Sequence, residues 1–354
     1  MTARRHRIGV IPGDGIGQEV VPAAKRVLDR AAARFGFALE WRDFDWSCER
    51  YARVGSMMPA DGLDQLRAFD AIFLGAVGFP GVPDHVSLWG LLLPIRRGFQ
   101  QYVNLRPVRL RAGIVSPLRD REAGSIDFCI VRENTEGEYS DVGGITGAGT
   151  LDETATQTAI FTRRGCDRVM RFAFELARRR RGHVTSATKS NGILHSMPYW
   201  DSRFEAIAAE YPDVATSKYH IDILCAHFVR HPDWFDVVVA SNLFGDILSD
   251  LGPAIAGSIG IAPSANLNPE HEHPSMFEPV HGSAPDIAGR GIANPIGQIA
   301  SGAMMLDHLG EHEAAAAVEC AIDLLLGNQS APRTADLGGD ATMDDVARAI
   351  EALV

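Results

Sequence analysis

Short apolar runs alternate with amphipathic segments along most of this 354-residue chain, and this alternation restricts its fold more than any other feature. The runs at 7–11 and 71–78 have the length of buried strands and end at glycine-containing turns. Between them, residues 18–36 carry apolar side chains at helical spacing and stop at Gly36. Repetition of this strand–helix unit predicts an α/β fold with a largely parallel central sheet.

Further elements continue the pattern. We predict strands at 38–46, 126–134, 183–188 and 235–244, and helices at 62–69, 313–327 and 343–353. The glycine-rich polar segment that begins at Ser140, together with the run TATQTAIFTR after it, is typical of a hairpin or an arm. At ~150 residues per domain the length predicts two domains, and the lack of a low-complexity linker predicts short crossings between them.

Composition excludes several classes of protein. Acidic residues outnumber Lys and Arg by 45 to 34, and a net charge of −11 argues against nucleic acid or an anionic membrane as the main partner. No stretch approaches the ~18 apolar residues of a membrane span, and the run after the basic start MTARRHR is too short for a secretory signal. The five scattered cysteines form no C-x-x-C pair, which predicts buried free thiols in a reducing compartment: Cys48, Cys129, Cys166, Cys225 and Cys320. Together these features predict a soluble cytoplasmic protein.

The loop Gly13-Asp14-Gly15-Ile16-Gly17 lies between the first strand and the first helix. Its glycines suggest a dinucleotide fingerprint, in which backbone N–H groups approach a pyrophosphate. The spacing is one residue short of that fingerprint, and Asp14 would repel a phosphate at the point of closest approach. We therefore favour a tight turn near a ligand over direct phosphate binding.

Arginines are frequent between residues 96 and 132: Arg96, Arg97, Arg106, Arg109, Arg111 and Arg132. Arg96 and Arg106 border apolar stretches and Arg132 follows a strand, and guanidinium groups held in this way suit bidentate capture of carboxylates. Three such arginines would bind a small dicarboxylic acid. For the other three we expect a solvated basic face.

Two aspartates follow the predicted strand at 235–244. Asp246 and Asp250 are four residues apart, so on a helix both carboxylates share one face. Paired hard oxygen ligands suit Mg²⁺ or Mn²⁺ rather than zinc. The alternative is a first helical turn enriched in acids, which is common.

Lys189 follows the predicted strand at 183–188, at the end of a strand where α/β proteins usually place their sites. The chain has only three lysines among 34 basic residues, and lysine, unlike arginine, can release its proton and act as a base. A lysine at this point suggests proton transfer, although a lone loop lysine usually has no chemical role. Tyr139, in EGEYSD, is ambiguous for the same reason.

Residues 276–299 collect Gly, Pro, His and Asn around Asp286. A rigid loop of this kind can enclose an adenosine, and its aspartate can bind a ribose diol while repelling a 2′-phosphate, which favours NAD over NADP. The candidate cofactor contacts are Glu278, His281, Gly282, Ser283, Ala284, Asp286 and Asn294.

Taken together, these segments resemble the decarboxylating 2-hydroxyacid dehydrogenases, the family of the isopropylmalate, isocitrate, homoisocitrate and tartrate/D-malate dehydrogenases. The resemblance runs over nearly the whole chain, from IPGDGIG to IANPIGQIASGAMML, and NLFGDILSDL and EPVHGSAPDIAGRGIANP are specific to that family. It implies NAD and Mg²⁺ or Mn²⁺ as cofactors, with a monovalent cation such as K⁺ as a further candidate.

The resemblance also implies roles for single residues. The arginines that match Arg96, Arg106 and Arg132 hold the malate carboxylates. The metal is held by residues that match Asp246 and Asp250, with Asp222 of the partner subunit as a third ligand. The equivalents of Lys189, also from the partner, and of Tyr139 handle protons.

The family fold implies an isopropylmalate dehydrogenase-like architecture, in which two α/β domains share the sheet. One domain contains both termini, at 1–103 and 260–354. The second, at 104–259, is inserted and carries substrate, metal and dimer contacts, with an interlocking arm at about 140–160. A homodimer with sites shared between subunits follows, and a monomer would lack a complete site.

The helix that bears Arg96 indicates the branch of the family. Isocitrate enzymes place a serine and an asparagine six and four positions before that arginine, where this chain has Gly90 and Leu92. Isopropylmalate enzymes usually carry an acidic residue seven before it, where this chain has Trp89, and an apolar residue three after the lysine, where it has Gly192. Trp89 would fill the pocket for a branched chain, so VSLWGLLLPIRR and TKSNGI are most similar to the tartrate/D-malate branch.

From this resemblance we expect NAD-dependent and metal-dependent oxidative decarboxylation of (R)-malate to pyruvate and CO₂, with tartrate isomers as further substrates. The alternative of the same fold is a 3-isopropylmalate dehydrogenase. The alternatives of other classes are a non-catalytic relative that binds metabolites and an arginine-rich RNA-binding protein, and the sequence assembles no basic face for the latter.

Overall fold

The structure is a computed structural model that describes residues 4–354, so the first three residues of the basic N-terminal segment lie outside the described residues. The strands are β1 (Arg4–Gly13), β2 (Phe37–Asp43), β3 (Ala71–Ala76), β4 (Val103–Arg109), β5 (Asp127–Glu133), β6 (Gly143–Thr146), β7 (Thr154–Gln157), β8 (His183–Thr188), β9 (Ala215–His220), β10 (Val237–Ala240), β11 (Pro263–Leu267) and β12 (Ser275–Pro279). The helices are α1 (Gly17–Phe35), α2 (Cys48–Val54), α3 (Gly62–Leu66), α4 (Asp84–Ser87), α5 (Leu93–Gly98), α6 (Arg163–Arg178), α7 (Ser196–Ala208), α8 (Ile221–Arg230), α9 (Asn242–Ile255), α10 (Ile296–His308), α11 (His312–Gly327) and α12 (Met343–Leu353). A π-helical turn at Leu88–Leu92 joins α4 to α5.

Ten strands within residues 4–354 form one sheet, in the order β2-β1-β3-β12-β11-β4-β5-β10-β8-β9. Pairing is antiparallel on both sides of β11 and between β4 and β5, and parallel elsewhere. The predicted α/β fold with a largely parallel sheet is therefore confirmed. The two halves of the sheet come from different parts of the chain, although the division into domains at 103/104 and 259/260 stays a prediction.

Helices cover both faces of the sheet. α1 packs against α10, α11 and α12, and it can approach α10 closely because a Cβ at Gly302 would lie 2.5 Å from a methyl carbon of Leu28. α1 ends as predicted at Gly36, whose φ of 77° is the left-handed conformation that glycine adopts without strain. α6 packs against α7 in the other half of the molecule, and α8 packs against α9.

Several predicted elements are longer than the observed ones. The prediction of a strand at 235–244 was wrong at its carboxyl end, because β10 stops at Ala240 and Asn242 already begins α9. Similarly, β2 ends at Asp43 rather than at 46, and α3 ends at Leu66 rather than at 69. Apolar residues continue across each boundary, so the hydrophobic pattern alone does not mark it.

The predicted hairpin is present as β6 and β7, which pair only with each other. All eight strand residues are exposed, and Leu151 at the tip is fully exposed. An isolated two-stranded hairpin is at best marginally stable in water. This exposure fits an arm that needs a partner, and the role of the arm in a dimer stays a prediction.

Within residues 4–354, no helix is both long enough and apolar enough to cross a bilayer. The five cysteines are free, as expected, but only Cys48, Cys129 and Cys166 are buried. The expectation of burial was wrong for Cys320, which is exposed, because it lies on the outer side of α11.

Asp14 acts as a structural carboxylate rather than as part of a phosphate loop. It is buried and accepts hydrogen bonds from the backbone N–H groups of Cys48 (3.0 Å), Glu49 (3.2 Å) and Gly78 (3.1 Å). It thereby connects the loop after β1 to the start of α2 and to the loop after β3. The tight-turn interpretation of this loop is the one that agrees with these contacts.

Replacement of Asp14 by alanine is expected to lower the thermal unfolding midpoint by about 5 °C or more. Each buried N–H left without a partner costs about 1–3 kcal/mol, and 1 kcal/mol corresponds to about 2–4 °C in a large domain. Asp14→Asn retains one acceptor oxygen and should lose less. Calorimetry of the three proteins checks this expectation, and an alanine variant that melts with the wild type would contradict it.

Candidate active site

The predicted substrate and metal residues meet where β4, β5, β12, α5 and α9 adjoin. Arg106 lies on β4 and Arg132 on β5, whereas Arg96 is near the end of α5. Asp246 and Asp250 lie one turn apart in α9. The three arginines are buried, Asp246 is partly exposed and Asp250 is exposed. The cations therefore form the floor of the site and the acids its rim.

Arg132 is fixed by the start of α9. Its Nε and Nη2 donate to Asn242 Oδ1 at 3.0 and 2.7 Å, and its Nη1 donates to the Asp246 carboxylate. A Cβ at Gly245 would lie 2.6 Å from the Arg132 side chain, so only glycine lets this arginine lie against the helix. Burial lowers the pKa of Arg132 to about 10, and the Asp246 carboxylate opposes that shift.

Asp246 also accepts a hydrogen bond from the Tyr139 hydroxyl, at 2.7 Å. Burial would raise the pKa of Asp246, but Arg132, Tyr139 and Arg106 together lower it below its ordinary value. Burial and the hydrogen bond to Asp246 raise the pKa of Tyr139 to about 12. Near neutral pH the pair is therefore a carboxylate and a protonated phenol, which can donate a proton.

Arg106 reaches the second aspartate. Its Nη1 donates to Ser249 Oγ at 2.7 Å and lies 3.6 Å from Asp250 Oδ1. Burial lowers the pKa of Arg106, and Arg96 lowers it further. The Nε atoms of both arginines are buried without a hydrogen-bond partner. An anion in this space would supply the missing acceptors.

Glu278, a candidate cofactor contact, lies on the same floor. Its carboxylate accepts from Arg96 Nη2 at 2.8 Å and from Asn266 Nδ2 at 2.7 Å, and both ends of the ion pair are buried. Glu278 therefore fixes Arg96 from β12. Asn242, Ser249 and Asn266 were not predicted as site residues. Asn242 and Ser249 lie inside NLFGDILSDL, which could have indicated them, whereas Asn266 had no such signal.

Lys189 and Asp222 form a separate pair. Lys189 Nζ lies 2.8 Å from Asp222 Oδ2, and this contact lowers the pKa of the aspartate. Among residues 4–354, no hydrogen bond or ion pair joins this pair to the cluster around Arg132. The part of the chain that the structure describes also contains no group of three or more His, Cys, Asp or Glu residues that could hold a metal. One chain therefore offers two carboxylates, Asp246 and Asp250, to a divalent ion.

The candidate cofactor loop packs against the glycine loop. Ser283 O accepts from Ile16 N at 2.9 Å, and a Cβ at Gly15 would lie 2.1 Å from that oxygen. His281 Nδ1 donates to Gly282 O at 3.0 Å, whereas the Nε2 atom of the same ring is buried without a partner. Burial lowers the pKa of His281, so the ring is neutral near pH 7.

The other loop residues differ in availability. Ala284 has a positive φ of 40°, which the tight loop imposes, and Gly282 has open space where a Cβ would be. Asp286 is exposed and available to a ligand. The Asn294 amide is already engaged, because it donates to Asp336 at 3.0 Å and accepts from Ile296 N at 3.0 Å.

Trp89 and Leu92 lie on the π-helical turn before α5, a rare geometry that is frequent at functional sites. Trp89 is 37% exposed, and Leu92 is half-buried. The Arg97 guanidinium lies over the Trp89 ring, 4.9 Å from its centroid, and donates to the backbone carbonyl of Tyr139. Arg97 therefore links a pocket side chain to the loop that carries the tyrosine.

The expectation of a solvated basic face was wrong for Arg97 and Arg111. Arg97 is half-buried beside the site, and Arg111 is buried between Glu319 at 2.7 Å and Asp323 at 2.6 Å. Arg109 is half-exposed and pairs with Asp323 at 3.0 Å. These acidic partners lie far along the chain, so local composition gave no sign of them.

Three comparisons place the chain among known proteins. The sequence profile of the family described as isocitrate/isopropylmalate dehydrogenase matches residues 7–353. The chain is 59% identical over 352 residues to a D-malate dehydrogenase [decarboxylating] of Escherichia coli (strain K12), covering 97% of each. It is 58% identical over 359 residues to a tartrate dehydrogenase/decarboxylase of Pseudomonas putida, covering 99% of this chain and 98% of the relative. In structure it is similar to an isocitrate dehydrogenase from Methylococcus capsulatus, with a TM-score of 0.88 and 34% identity over 98% of this chain and 99% of that one.

Proposed function

Because the chain belongs to the isocitrate/isopropylmalate dehydrogenase family and is an enzyme of the decarboxylating tartrate/D-malate dehydrogenase type, we propose that it converts (R)-malate to pyruvate and CO₂ with NAD⁺ and a divalent metal. Tartrate isomers are further proposed substrates. The observation that carries the proposal is the floor of three buried arginines, Arg96, Arg106 and Arg132, beside the Tyr139–Asp246 pair.

The arginine floor fits a dicarboxylate. Buried guanidinium groups with free N–H donors bind carboxylates strongly, and the unpartnered Nε atoms of Arg96 and Arg106 are such donors. Three positive charges around one small space favour a substrate with two negative charges over a neutral one. In this arrangement Arg96, Arg106 and Arg132 hold the two carboxylates and fix the hydroxyl-bearing carbon between them.

The residues present fit the proposed cofactors. Asp246 and Asp250 would hold Mg²⁺ or Mn²⁺ together with Asp222 of the partner subunit, since carboxylate oxygens are the ligands that these ions prefer. The loop of Gly282, Ser283 and Asp286 would hold NAD⁺, with the buried unpartnered Nε2 of His281 as a further contact. When bound, NAD⁺ supplies the hydride acceptor and the metal supplies a Lewis acid at the substrate oxygens.

The residues of the chain itself move the protons. Lys189 of the partner subunit, with Asp222 beside it, accepts the proton of the substrate C2 hydroxyl. The Tyr139 hydroxyl, held protonated by Asp246, donates the proton that completes pyruvate after CO₂ has left. A monovalent cation such as K⁺ remains a proposed addition to this set.

A substrate panel tests the proposal. We expect Mn²⁺-dependent NADH formation with (R)-malate at a kcat/KM at least about tenfold above that with 3-isopropylmalate, since a pocket that lacks room for an alkyl group costs about 1–3 kcal/mol. L-Tartrate, meso-tartrate and isocitrate complete the panel. A preference for isopropylmalate would favour the alternative enzyme, and failure to form NADH with any substrate would favour a non-catalytic metabolite-binding relative.

Trp89 is the proposed specificity residue. Replacement by valine opens space beside Leu92, so the ratio of kcat/KM for 3-isopropylmalate to that for (R)-malate should rise by about tenfold or more. Trp234→Val, at an exposed tryptophan of a 3-10 turn elsewhere, is the matched control and should leave the ratio unchanged. An unchanged ratio in the Trp89 variant would show that Trp89 does not determine substrate specificity.

We propose further that the protein works as a cytoplasmic homodimer. Two observations support this proposal. The β6–β7 hairpin is exposed and lacks a packing partner within one subunit, and one subunit supplies only two carboxylates for the proposed metal, among the described residues. The proposed partners are thus a small 2-hydroxy dicarboxylic acid and a second copy of the chain, with no nucleic acid or membrane. Sedimentation velocity at micromolar protein tests the assembly.

A further inference from the structure

A pocket of about 240 Å³ lies beside the active site, where the loop after β5 meets the start of α6. Three arginines line it: Arg97 from α5, and Arg164 and Arg168 from α6. The hydroxyl-bearing residues Thr135 and Thr162 line it as well. None of these residues belongs to the proposed substrate, metal or NAD⁺ sites.

Two of the guanidinium groups in this pocket are held by neutral acceptors. Arg168 donates to Gln100 Oε1 at 2.9 Å and to Thr135 Oγ1 at 2.7 Å, and Arg97 donates to a backbone carbonyl. Within residues 4–354, none of the three arginines has a carboxylate oxygen within 4.0 Å. Arg97 and Arg168 are therefore fixed in position without a direct ion-pair partner.

Two of the three arginines also have unused donors. The Nε atoms of Arg97 and Arg168 are buried without a hydrogen-bond partner. A buried N–H without an acceptor costs free energy, and a ligand oxygen would recover it. Arg164 is exposed at the first turn of α6, where the helix dipole also favours negative charge.

The acidic residues nearby do not neutralise the pocket. The Glu136 carboxylate is used by Thr162, whose N–H and hydroxyl both donate to it at 2.8 Å. The Glu133 carboxylate is buried behind the pocket and accepts from Thr135 and from the N–H of Glu136. Glu136 itself lines the pocket, and both glutamates act electrostatically on Arg168. Three guanidinium groups thus face two glutamates, so the pocket keeps a net positive charge.

We propose that this pocket binds a small oxyanion of the phosphate type, either inorganic phosphate or a phosphate monoester. Convergent arginines are the groups that recognise phosphate oxygens, and the volume suits a small anion. Because Arg97 also contacts Trp89 and the Tyr139 carbonyl, the bound anion lies one side chain away from the substrate pocket.

The test measures phosphate binding to the full-length protein by calorimetric titration, with NAD⁺ present and chloride balancing the ionic strength. Arg164→Gln is expected to weaken phosphate binding by about tenfold, the loss of one charge-assisted contact. Arg163→Gln is the matched control, because Arg163 is the neighbouring exposed arginine, pairs with Asp167 at 3.4 Å and does not line the pocket. It should bind phosphate like the wild type.

Arg168→Lys is a second variant, which keeps the charge but loses the two-pronged contact, and it should also bind phosphate more weakly. A titration with glycerol 2-phosphate distinguishes a monoester from inorganic phosphate, and binding of either supports the site. Equal phosphate affinity in Arg164→Gln and Arg163→Gln would overturn the proposal, as would the lack of binding to the wild type. The readout needs no turnover, so its failure is distinct from failure of the proposed reaction.

Discussion

Replacement of Lys189 by methionine is expected to lower kcat for (R)-malate by about 10³-fold or more while NAD⁺ binding stays within about twofold of the wild type. Methionine keeps the length of the side chain but cannot accept a proton, and general-base catalysis contributes about 10²–10⁴-fold. Lys189 lies 2.8 Å from Asp222 and is partly exposed, as the proposed role at the partner's site requires. The measurements are NADH formation and fluorescence titration with NAD⁺.

Lys218→Met is the matched control for this variant. Lys218 also lies beside carboxylates, 3.2 Å from the buried Asp201 and 3.1 Å from the exposed Glu205, and these contacts join β9 to α7 away from the candidate site. Its loss can lower stability because it leaves Asp201 without its cation, but kcat should change by less than about twofold because Lys218 has no part in the proposed proton transfer. Wild-type kcat in Lys189→Met would refute the assigned role.

Replacement of Asp246 by asparagine is expected to lower kcat/KM by about 10³-fold and to weaken Mn²⁺ binding by at least about tenfold. The carboxylate accepts hydrogen bonds from Arg132 and the Tyr139 hydroxyl, and it is also a proposed metal ligand. Loss of its charge therefore weakens three interactions. Loss of a single metal-site group costs about 10–100-fold in affinity or activity even outside the ligand set. Steady-state kinetics over a range of Mn²⁺ concentrations measures both effects.

The same variant should also be less stable than the wild type. Removal of one partner of a buried ion pair costs about 3–5 kcal/mol, and the loss here should be smaller because Asp246 is only partly buried. Asp213→Asn breaks an exposed pair with Arg178 at 2.6 Å and should leave activity and the thermal midpoint almost unchanged. If Asp246→Asn kept full Mn²⁺-dependent activity, the metal would have to be held elsewhere.

The elements that could be predicted from sequence are those whose apolar pattern and end signals agree. α1 has apolar spacing over its whole length and a glycine at its end, and β3 is a buried run followed by a glycine-containing loop. The end of β10 could not be predicted, because VVVASNLF is apolar on both sides of the change from strand to helix. Ser241 and Asn242 make that change, and they carry no hydrophobic signal.

The candidate site could likewise be predicted only where the local sequence carries a signal. Arg132 lies at the end of β5 and Asp246 near the start of α9, where sequence order predicts that side chains converge. Arg106 lies in the middle of β4 and Arg96 near the end of α5, so their convergence on the same site was not marked by position alone. The Arg96–Glu278 pair joins residues 182 positions apart, and Arg111 meets acids more than 200 positions away. Such contacts depend on which strands and helices become neighbours, and that information is tertiary.

The separation of Lys189 and Asp222 from the Arg132–Tyr139–Asp246 cluster has a genetic consequence. If each site takes its lysine from one chain and its cluster from the other, two inactive alleles can complement one another. In a mixed dimer of Lys189→Met and Asp246→Asn subunits, both lesions fall in one site and the other site contains only wild-type groups. Random pairing of equal amounts would then restore about a quarter of the wild-type activity, because half of the dimers of a two-fold assembly are mixed. On this arrangement, two inactivating lesions complement one another only when one lies in the Lys189–Asp222 pair and the other in the Arg132–Tyr139–Asp246 cluster.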